Sequence, residues 1–155
     1  MEAQYSPIQI EEKWSKIWAD RELEKPGSED HFSQIIPPPN VTGTLHMGHS
    51  FQYAIMDFYT RYHHMNGTDS YWQVGTDHAG IATQMVVENN LLNEGKSKDD
   101  LGREKFLEEV WKWKDYSEGE ISAQMKRLGI TVEWDKYRFT YDDDFCKGVN
   151  KAFVE

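Results

Sequence analysis

The sequence predicts an α/β protein with parallel strands joined by crossover helices, followed by an acidic helical segment. Two short strand patterns, residues 32–36 and 70–74, are separated by a helical pattern. Such a strand–helix–strand unit gives a parallel pair with a right-handed crossover. Beyond Val87 the chain is helical in its spacing and dense in charge. Together these three observations define the predicted fold class.

The first predicted element is an amphipathic helix. Ser6 and Pro7, with Gln9 three residues after the serine, are typical of a capped helix start. One apolar stripe follows at helical spacing and is expected to pack against the body of the domain: Ile10, Trp14, Ile17 and Trp18. A polar loop, residues 26–30, separates this helix from the first strand.

Three consecutive prolines, residues 37–39, end the first strand. Proline lacks an amide hydrogen and fixes φ, so this run is extended but cannot continue a sheet. Asn40, Thr42 and Gly43 favour a turn, and a run with helical spacing begins at Leu45. The segment is therefore predicted to turn from a strand into a helix.

The start of that helix is the predicted phosphate site. First-turn amide groups have no partner within a helix, and the helix dipole favours an anion at the same place. His46 and His49 share one helix face there, and Gly48 between them leaves room for a ligand to approach the backbone. Taken alone, such a pair of histidines is also compatible with two exposed surface residues.

The helix after the histidine pair leads to a second candidate turn. Its apolar residues recur at helical spacing: Phe51, Ile55, Phe58, Tyr59 and Tyr62. It closes near Gly67, which suits a left-handed cap. The next strand ends at Val74, so Asp77 and His78 lie at its carboxyl end, where open α/β sheets bind ligands. These two residues are therefore expected on the same rim as the histidine pair.

The remainder is predicted to be mainly helical. One helix spans residues 81–92, and a longer one spans residues 101–128 with Gly129 as its cap. Alternating aromatic residues at 137–141 predict a short strand. The acidic residues 142–144 are expected to open a last helix as a solvated helix start.

Charge is distributed unevenly along the 155 residues, whose formal net charge is −10. This value argues against a self-sufficient nucleic-acid binder, because affinity for the phosphate backbone comes from clustered lysine and arginine. Between His31 and Val87, where all six histidines lie, full charges are few: Asp57, Arg61, Asp69 and Asp77. The single cysteine, Cys146, excludes an internal disulfide and fits a reducing compartment. With no apolar leader and no long apolar run, we expect a cytoplasmic protein.

Three blocks of the sequence resemble one protein family. Residues 37–49, PPPNVTGTLHMGH, resemble the HIGH signature of class I aminoacyl-tRNA synthetases, spelled HMGH here. Residues 75–84, GTDHAGIATQ, and residues 101–114, which include LGREKF and WKWK, resemble the same family in the same order. The lead-in PPPNVTG and the block GTDHAG are most similar to the valyl-type members rather than the isoleucyl or leucyl types. The resemblance covers nearly the whole chain.

The resemblance implies a fold and an activity. The fold is the first half of a Rossmann-like nucleotide-binding domain, and the chain is expected to be the N-terminal part of a longer valine--tRNA ligase. The implied reaction activates valine with ATP to valyl-adenylate and transfers the acyl group to tRNA(Val), with tRNA contacts made by segments outside this chain. The implied parts are an N-terminal helix and loop (1–30), a nucleotide- and amino-acid-binding core (31–95) and a truncated helical extension (96–155).

The resemblance also assigns roles to residues. His46 and His49 are the implied catalytic residues, donating ring N–H bonds to phosphate oxygens, and they bind ATP together with Gly43 and Gly48. The implied amino-acid-binding residues are Pro38, Asn40 and Asp77. The carboxylate of Asp77 would pair with the ammonium group of valine. Mg²⁺ is expected to neutralise the leaving pyrophosphate, and no protein ligand for a metal is predicted.

Several assignments leave a second interpretation open. The family's second signature, KMSKS, is absent from the sequence, so the chain could be a catalytically silent nucleotide-binding or docking module. The histidine pair could join a zinc site, although the further histidines are scattered and no cysteine pair accompanies them: His63, His64 and His78. Asp77 could instead cap the following helix, and His78 could be structural. Trp111 and Trp113 are expected to pack rather than to stack on RNA bases.

Overall fold

A computed structural model describes residues 6–19 and 27–155 of the chain. Its elements in order are α1 Pro7–Ala19, β1 His31–Ile35, α2 Met47–Met65, β2 Asp69–Gln73, β3 Gly75–Thr76, α3 Ile81–Asn93, α4 Lys98–Leu128, β4 Arg138–Phe139 and α5 Asp143–Val154. A short 3₁₀ helix, Trp134–Lys136, precedes β4. Parallel strands joined by a helix, followed by a mainly helical half, confirm the predicted α/β class.

β1 and β2 form the parallel pair that the sequence predicts. They run in register from His31 opposite Asp69 to Ile35 opposite Gln73. Each strand lies one residue earlier than the apolar pattern indicates. Ile36, the residue immediately before the prolines, therefore lies just after β1. Its amide still donates to the carbonyl of Gln73 at 3.0 Å.

The strand β4 pairs on the side of the β2–β3 segment opposite to β1. β3 continues β2 after the single residue Val74 and pairs in parallel with β4. The amide of Arg138 donates to Val74 O at 3.1 Å, whereas Gln73 O accepts from the β1 side. Because neighbouring strand residues point their backbone groups to opposite sides, the β2–β3 segment lies between β1 and β4. The predicted strand at 137–141 is therefore present but only two residues long.

The structure shows which face of the helix α2 meets the sheet. Tyr53 and Thr60 are buried, and Gln34 of β1 donates to Met56 O at 2.7 Å. The apolar residues that identify the helix in the sequence lie on its outer face, with 44% to 70% of each exposed: Phe51, Ile55, Phe58, Tyr59 and Tyr62. Helical periodicity identified the helix but not its buried face, because the buried face includes the polar Thr60 and the outer face carries more of the large apolar residues.

Two charged residues of α2 connect this helix to the rest of the structure. Asp57 and Arg61 form an ion pair one helical turn apart, with Nε and Oδ2 separated by 2.6 Å. Arg61 also donates to Gly129 O at 2.6 Å, and Asp57 accepts from the amide of Thr131 at 2.6 Å. These bonds join α2 to the segment after α4, so both charges have structural partners.

The core lies between the sheet, α2 and the second half of α4. Its buried members are Ile36, Tyr53, Trp72, Val74, Ile121, Met125, Ile130 and Val132. The long helix α4 begins at the cap residue Ser97 and is interrupted at Gly102, where φ is 74°. Its continuous part therefore begins close to the predicted start. Gly129 is left-handed with φ of 71°, and Gly67 after α2 has φ of 82°, which confirms both predicted caps.

The two ends of the chain match the predictions to different degrees. α1 begins at Pro7 as expected, and it packs lightly against the body of the domain, since Trp18 remains 46% exposed beneath the guanidinium of Arg61. Within the predicted loop at 26–30, residue 26 lies outside the described residues. α5 begins at Asp143, and Asp143 and Asp144 are exposed, as predicted; two of the acidic residues also pair with one arginine. Arg138 contacts both Asp142 and Asp144.

Among the helices within residues 6–19 and 27–155, none combines the length and the apolar character that crossing a bilayer requires.

Candidate functional site

The turn after β1, from Asn40 to His46, is the first turn of the site, and the turn after β3, which contains Asp77 and His78, is the second or acidic turn. The two turns lie side by side. The amide of Asp77 donates to Pro39 O at 2.8 Å, and the amide of Val41 donates to Asp77 O at 3.0 Å. Asn40 and Asp77 thereby form an isolated parallel bridge. Two residues that the resemblance assigns to the amino-acid pocket are therefore backbone neighbours, although 37 positions of sequence separate them. Pro38, the third, precedes this bridge and is exposed.

Three side chains of α4 form hydrogen bonds with the backbone of the first turn. They contact every second residue of the turn: Trp113 Nε1 donates to Val41 O at 2.9 Å, Ser117 Oγ donates to Gly43 O at 3.0 Å, and Leu45 N donates to Gln124 Oε1 at 2.8 Å. Their spacing places the three side chains on one face of the helix. Buried backbone groups need such partners, and a run of prolines leaves few within the sheet. The helical extension thus shapes the predicted phosphate site.

The predicted histidine pair caps the start of α2. His46 is the residue before the helix, and its Nδ1 accepts from the amides of Gly48 at 3.1 Å and His49 at 3.4 Å. His49 Nδ1 accepts in return from the amide of His46 at 3.2 Å. The two rings stack with centroids 3.8 Å apart. The expectation of unpartnered first-turn amides was therefore wrong for these groups, because each histidine supplies an acceptor.

This reciprocal cap fixes where the imidazole protons lie. A ring nitrogen that accepts a hydrogen bond carries no proton, so each neutral ring is protonated at Nε2. His46 is exposed and His49 is half-buried, so the Nε2–H groups are the donors that these residues can offer to a ligand. Partial burial and the neighbouring His46 lower the pKa of His49, which favours the neutral ring. Donation by neutral imidazole thus fits the geometry better than donation by imidazolium.

Gly48 is required by the position of the His46 ring. A Cβ at this position would lie 2.9 Å from His46 Cε1. Gly43, the other glycine assigned to ATP, has open space around its Cα. The two glycines therefore differ: Gly48 allows the cap itself, whereas Gly43 leaves room beside the backbone for a ligand.

The side chain of Asp77 is held by the residues around it. Its Oδ1 accepts from Thr140 Oγ1 at 2.7 Å and from the amide of Ala79 at 3.3 Å. His78 Nδ1 lies 2.7 Å from the same threonine hydroxyl and 3.3 Å from Asp77 Oδ1. Asp77 does not cap the next helix, because the cap residue of α3 is Gly80, which has no side-chain cap.

Two interpretations from the sequence, a possible zinc site and the packing of two tryptophans in α4, can be compared with the structure. Among the described residues, no three His, Cys, Asp or Glu side chains gather closely enough to hold a metal ion. Trp113 is bonded to the first turn, and Trp111 packs on Phe139 and Tyr141 with centroids 6.3 and 6.2 Å apart. Both tryptophan contacts confirm the packing interpretation of these residues.

Sequence reasoning missed four residues that shape the site: Ser117, Gln124, Trp113 as an anchor, and Thr140. Each is bonded to one of the two turns from 62 to 79 positions away in the sequence. Serine, threonine and glutamine in helices and short strands carry no local signal for such contacts. The helical spacing of Ser117 and Gln124 on the face of α4 that carries Trp113 is the one feature that could have found the α4 residues, and Thr140 has no such signal.

Comparison with known proteins defines the class to which this fold and site belong. The family model described as tRNA synthetases class I (I, L, M and V) matches residues 9–155. The chain therefore belongs to the class I tRNA synthetase family, as its three sequence blocks predicted.

Within that family the chain is similar to a valine-specific member. The valine--tRNA ligase of Acinetobacter baylyi (strain ATCC 33305 / BD413 / ADP1) is 53% identical over 152 residues, which are 97% of this chain and 16% of that protein. The chain thus spans about a sixth of the length of this relative. A crystal structure of a LeuRS–tRNA–LeuAMS ternary complex from Agrobacterium radiobacter K84 matches 97% of this chain and 18% of its own, with a TM-score of 0.72. At 20% identity this second likeness concerns the fold.

Proposed function

We propose that this chain contributes the ATP- and valine-binding half of the active site of a valine--tRNA ligase. The reaction is the activation of valine with ATP to valyl-adenylate, followed by transfer of the valyl group to tRNA(Val). The observation that carries the proposal is the backbone bridge between Asn40 and Asp77, which brings the histidine-capped turn and the acidic turn to one rim of the sheet. Its specificity rests on the 53% identity to a valine--tRNA ligase.

The chemistry on the phosphate side needs donors and a close approach. An oxygen of the valine carboxylate attacks the α-phosphorus of ATP, the new P–O bond forms, and the bond to pyrophosphate breaks. Negative charge spreads over the phosphate oxygens in this step. His46 and His49 each offer an Nε2–H donor to those oxygens, Gly43 lets the phosphates approach the backbone, and Gly48 admits the His46 ring that forms the cap. Mg²⁺ bound to the substrate ATP would neutralise negative charge on the leaving pyrophosphate.

The chemistry on the amino-acid side needs an acceptor and a wall. The carboxylate of Asp77 binds the ammonium group of valine, which orients the carboxylate of the substrate towards ATP. Pro38 and Asn40 border the valine side chain. Discrimination by such a wall is modest, because one methylene is worth about 1–3 kcal/mol; the rejection of threonine by valyl enzymes is a standard illustration of this limit.

Contacts to tRNA are proposed to come from outside this chain. The formal net charge of −10 disfavours binding to a phosphate backbone. Within the chain, residues 31–95 are proposed as the binding core and residues 96–155 as the extension that supports it. Residues 1–30 are proposed as the part that precedes them.

The test is valine-dependent exchange between ATP and pyrophosphate, measured on the complete polypeptide. We expect the double variant His46→Ala/His49→Ala to lose about 100-fold or more, since removing one well-placed donor costs roughly 10²–10³ in rate. His64→Ala, at the other end of α2, serves as the matched control and keeps full exchange.

Two results would overturn the proposal. ATP binding without valine-dependent exchange would favour a silent nucleotide-binding or docking module. Isoleucine supporting exchange better than valine would assign a different specificity within the same family.

A further inference from the structure

Thr140 lies at the centre of the acidic turn. It follows β4, and its amide donates to Thr76 O at 3.0 Å, which fixes its backbone beside β3. Its hydroxyl oxygen lies 2.7 Å from Asp77 Oδ1, 2.9 Å from the amide nitrogen of His78 and 2.7 Å from His78 Nδ1. Three polar atoms of two consecutive residues therefore meet one hydroxyl group.

Proton counting assigns a direction to each of these bonds. A threonine hydroxyl has one proton to donate and two lone pairs to accept with. The backbone amide of His78 donates, and the ionised carboxylate of Asp77 can only accept, so the hydroxyl proton points to Asp77. The remaining contact is satisfied when Nδ1–H of His78 donates to the second lone pair. The neutral ring of His78 is then protonated at Nδ1 and carries its lone pair at Nε2.

We propose that Thr140 is a positioning residue of the amino-acid site: its hydroxyl orients the Asp77 carboxylate and fixes His78 in the Nδ1–H form. This inference rests on the proposed function, in which Asp77 binds the substrate ammonium group. Oδ1 of Asp77 is held by Thr140 and Ala79, so Oδ2 is the oxygen presented to the ligand. The Nε2 atom of His78, whose side chain is 42% exposed, adds a hydrogen-bond acceptor beside it.

Orientation matters here because a carboxylate can rotate about its last torsion. Asp77 is 35% exposed, and the surrounding residues do not enclose it. With the threonine hydroxyl removed, Oδ1 retains only the longer contacts at 3.3 Å to Ala79 N and His78 Nδ1. The substrate must then order the carboxylate at the expense of its own binding energy.

The first experiment measures the Michaelis constants of the exchange reaction with Thr140→Val and Thr140→Ser in the complete polypeptide. The valine side chain at position 140 keeps the shape of threonine and lacks the hydroxyl, whereas the serine side chain keeps the hydroxyl. We expect Thr140→Val to raise the KM for valine about tenfold, the effect of one hydrogen bond to a charged group, and to leave the KM for ATP unchanged. Thr140→Ser should restore the KM for valine. Equal effects on both constants, no effect on either, or failure of serine to rescue would overturn the proposal.

The second experiment reads the tautomer of His78 without using activity. Solid-state ¹⁵N spectra of the polypeptide labelled at histidine, assigned by comparison with His78→Gln, should show His78 protonated at Nδ1 and Thr140→Val should lose this preference. A His78 protonated at Nε2 would overturn the proposal. If the unmodified polypeptide shows no valine-dependent exchange, the proposed function has failed, and the spectra alone decide whether Thr140 fixes the ring.

Discussion

The two turns at the rim use histidine in opposite ways. In the turn before α2, His46 and His49 accept backbone protons at Nδ1 and offer Nε2–H outwards. In the arrangement proposed for the turn after β3, where His78 Nδ1 lies 2.7 Å from Thr140 Oγ1, His78 donates from Nδ1 and leaves a lone pair at Nε2. The first turn therefore presents donors, which suit phosphate oxygens, and the second presents acceptors, which suit an ammonium group.

The origin of the partners explains this difference. The first cap is closed between residues two and three positions apart, so the local sequence is enough to form it. The second depends on Thr140, which is 62 positions away from His78 and reaches the turn through the pairing of β3 with β4. One site is made by a local motif, and the other is assembled by the sheet. Changes to these residues should therefore have different consequences.

The largest expected effect comes from removing the acidic charge of the second turn. Asp77→Asn keeps the size of the side chain but removes the partner of the ammonium group, and truncating such a charge pair costs about 3 kcal/mol, or roughly 100-fold in the KM for valine. Exchange assays over a range of valine concentrations measure this. Asp69→Asn, at the opposite end of the same strand segment, is the control and should match the unmodified enzyme. A normal KM in Asp77→Asn would show that the acidic turn does not bind the amino acid.

The next effect tests whether the first turn is as local as its cap. Ser117→Ala removes the hydroxyl that donates to Gly43 O, and Ser117 is 1% exposed. An unpaired carbonyl there costs about 1–3 kcal/mol in the free energy of unfolding, measured by urea denaturation, and the exchange rate should fall because the turn loses an anchor. Ser33→Ala on β1, where the serine is exposed, should change neither quantity. Full activity in Ser117→Ala would mean that the cap alone shapes the turn.

A smaller effect separates activity from stability at the cap. In Gly48→Ala the new methyl group displaces the His46 ring, which costs about 1 kcal/mol of capping energy, while alanine returns a similar amount of helix propensity. We therefore expect an unfolding free energy close to that of the unmodified protein and an exchange rate about tenfold lower, or ~1.4 kcal/mol of barrier. Gly119→Ala, on the exposed side of α4, should add stability and leave exchange unchanged. Unaltered exchange in Gly48→Ala would contradict a role for the cap.

The smallest effect is the response of the cap to pH. The pKa of His49 in the folded protein is lowered from 6.5 by partial burial and by His46. The unfolded chain then binds the proton more readily, so the free energy of unfolding decreases as the pH falls below about 6.5. Urea unfolding on both sides of this pH measures the decrease, which should be smaller in His49→Gln, since glutamine at this position can accept the same backbone bond without titrating. An equal decrease in both proteins would place the response in another group.

Much of the framework could be predicted from the sequence. The prolines at 37–39 stopped β1, the glycines at 67 and 129 ended two helices, and the order of strands and helices gave the parallel pairing. Asp77 was placed at the carboxyl end of its strand by the same reasoning. These features follow from φ, from missing amides and from periodicity, which act over a few residues.

Other features could not be predicted. The outer stripe of α2 carries more large apolar residues than its buried side, so the pattern could not indicate that Tyr53 and Thr60 face the core and Phe58 faces solvent. The acidic start of α5 is exposed as predicted, but its pairing with Arg138 through Asp142 and Asp144 had no signal in the local pattern. In both cases contacts with a neighbouring element decided the arrangement, and the local pattern of residues did not.

The sequence by itself determined the class of fold and the strand-to-helix turn, and it placed at the start of α2 the two histidines whose reciprocal cap only the structure shows. Only the tertiary structure decided how that turn is anchored to α4, and how Thr140 gives Asp77 and His78 their orientation. The physical reason is range: backbone preferences and caps are settled between residues a few positions apart, whereas hydrogen bonds across 62 to 79 positions exist only after the elements have packed.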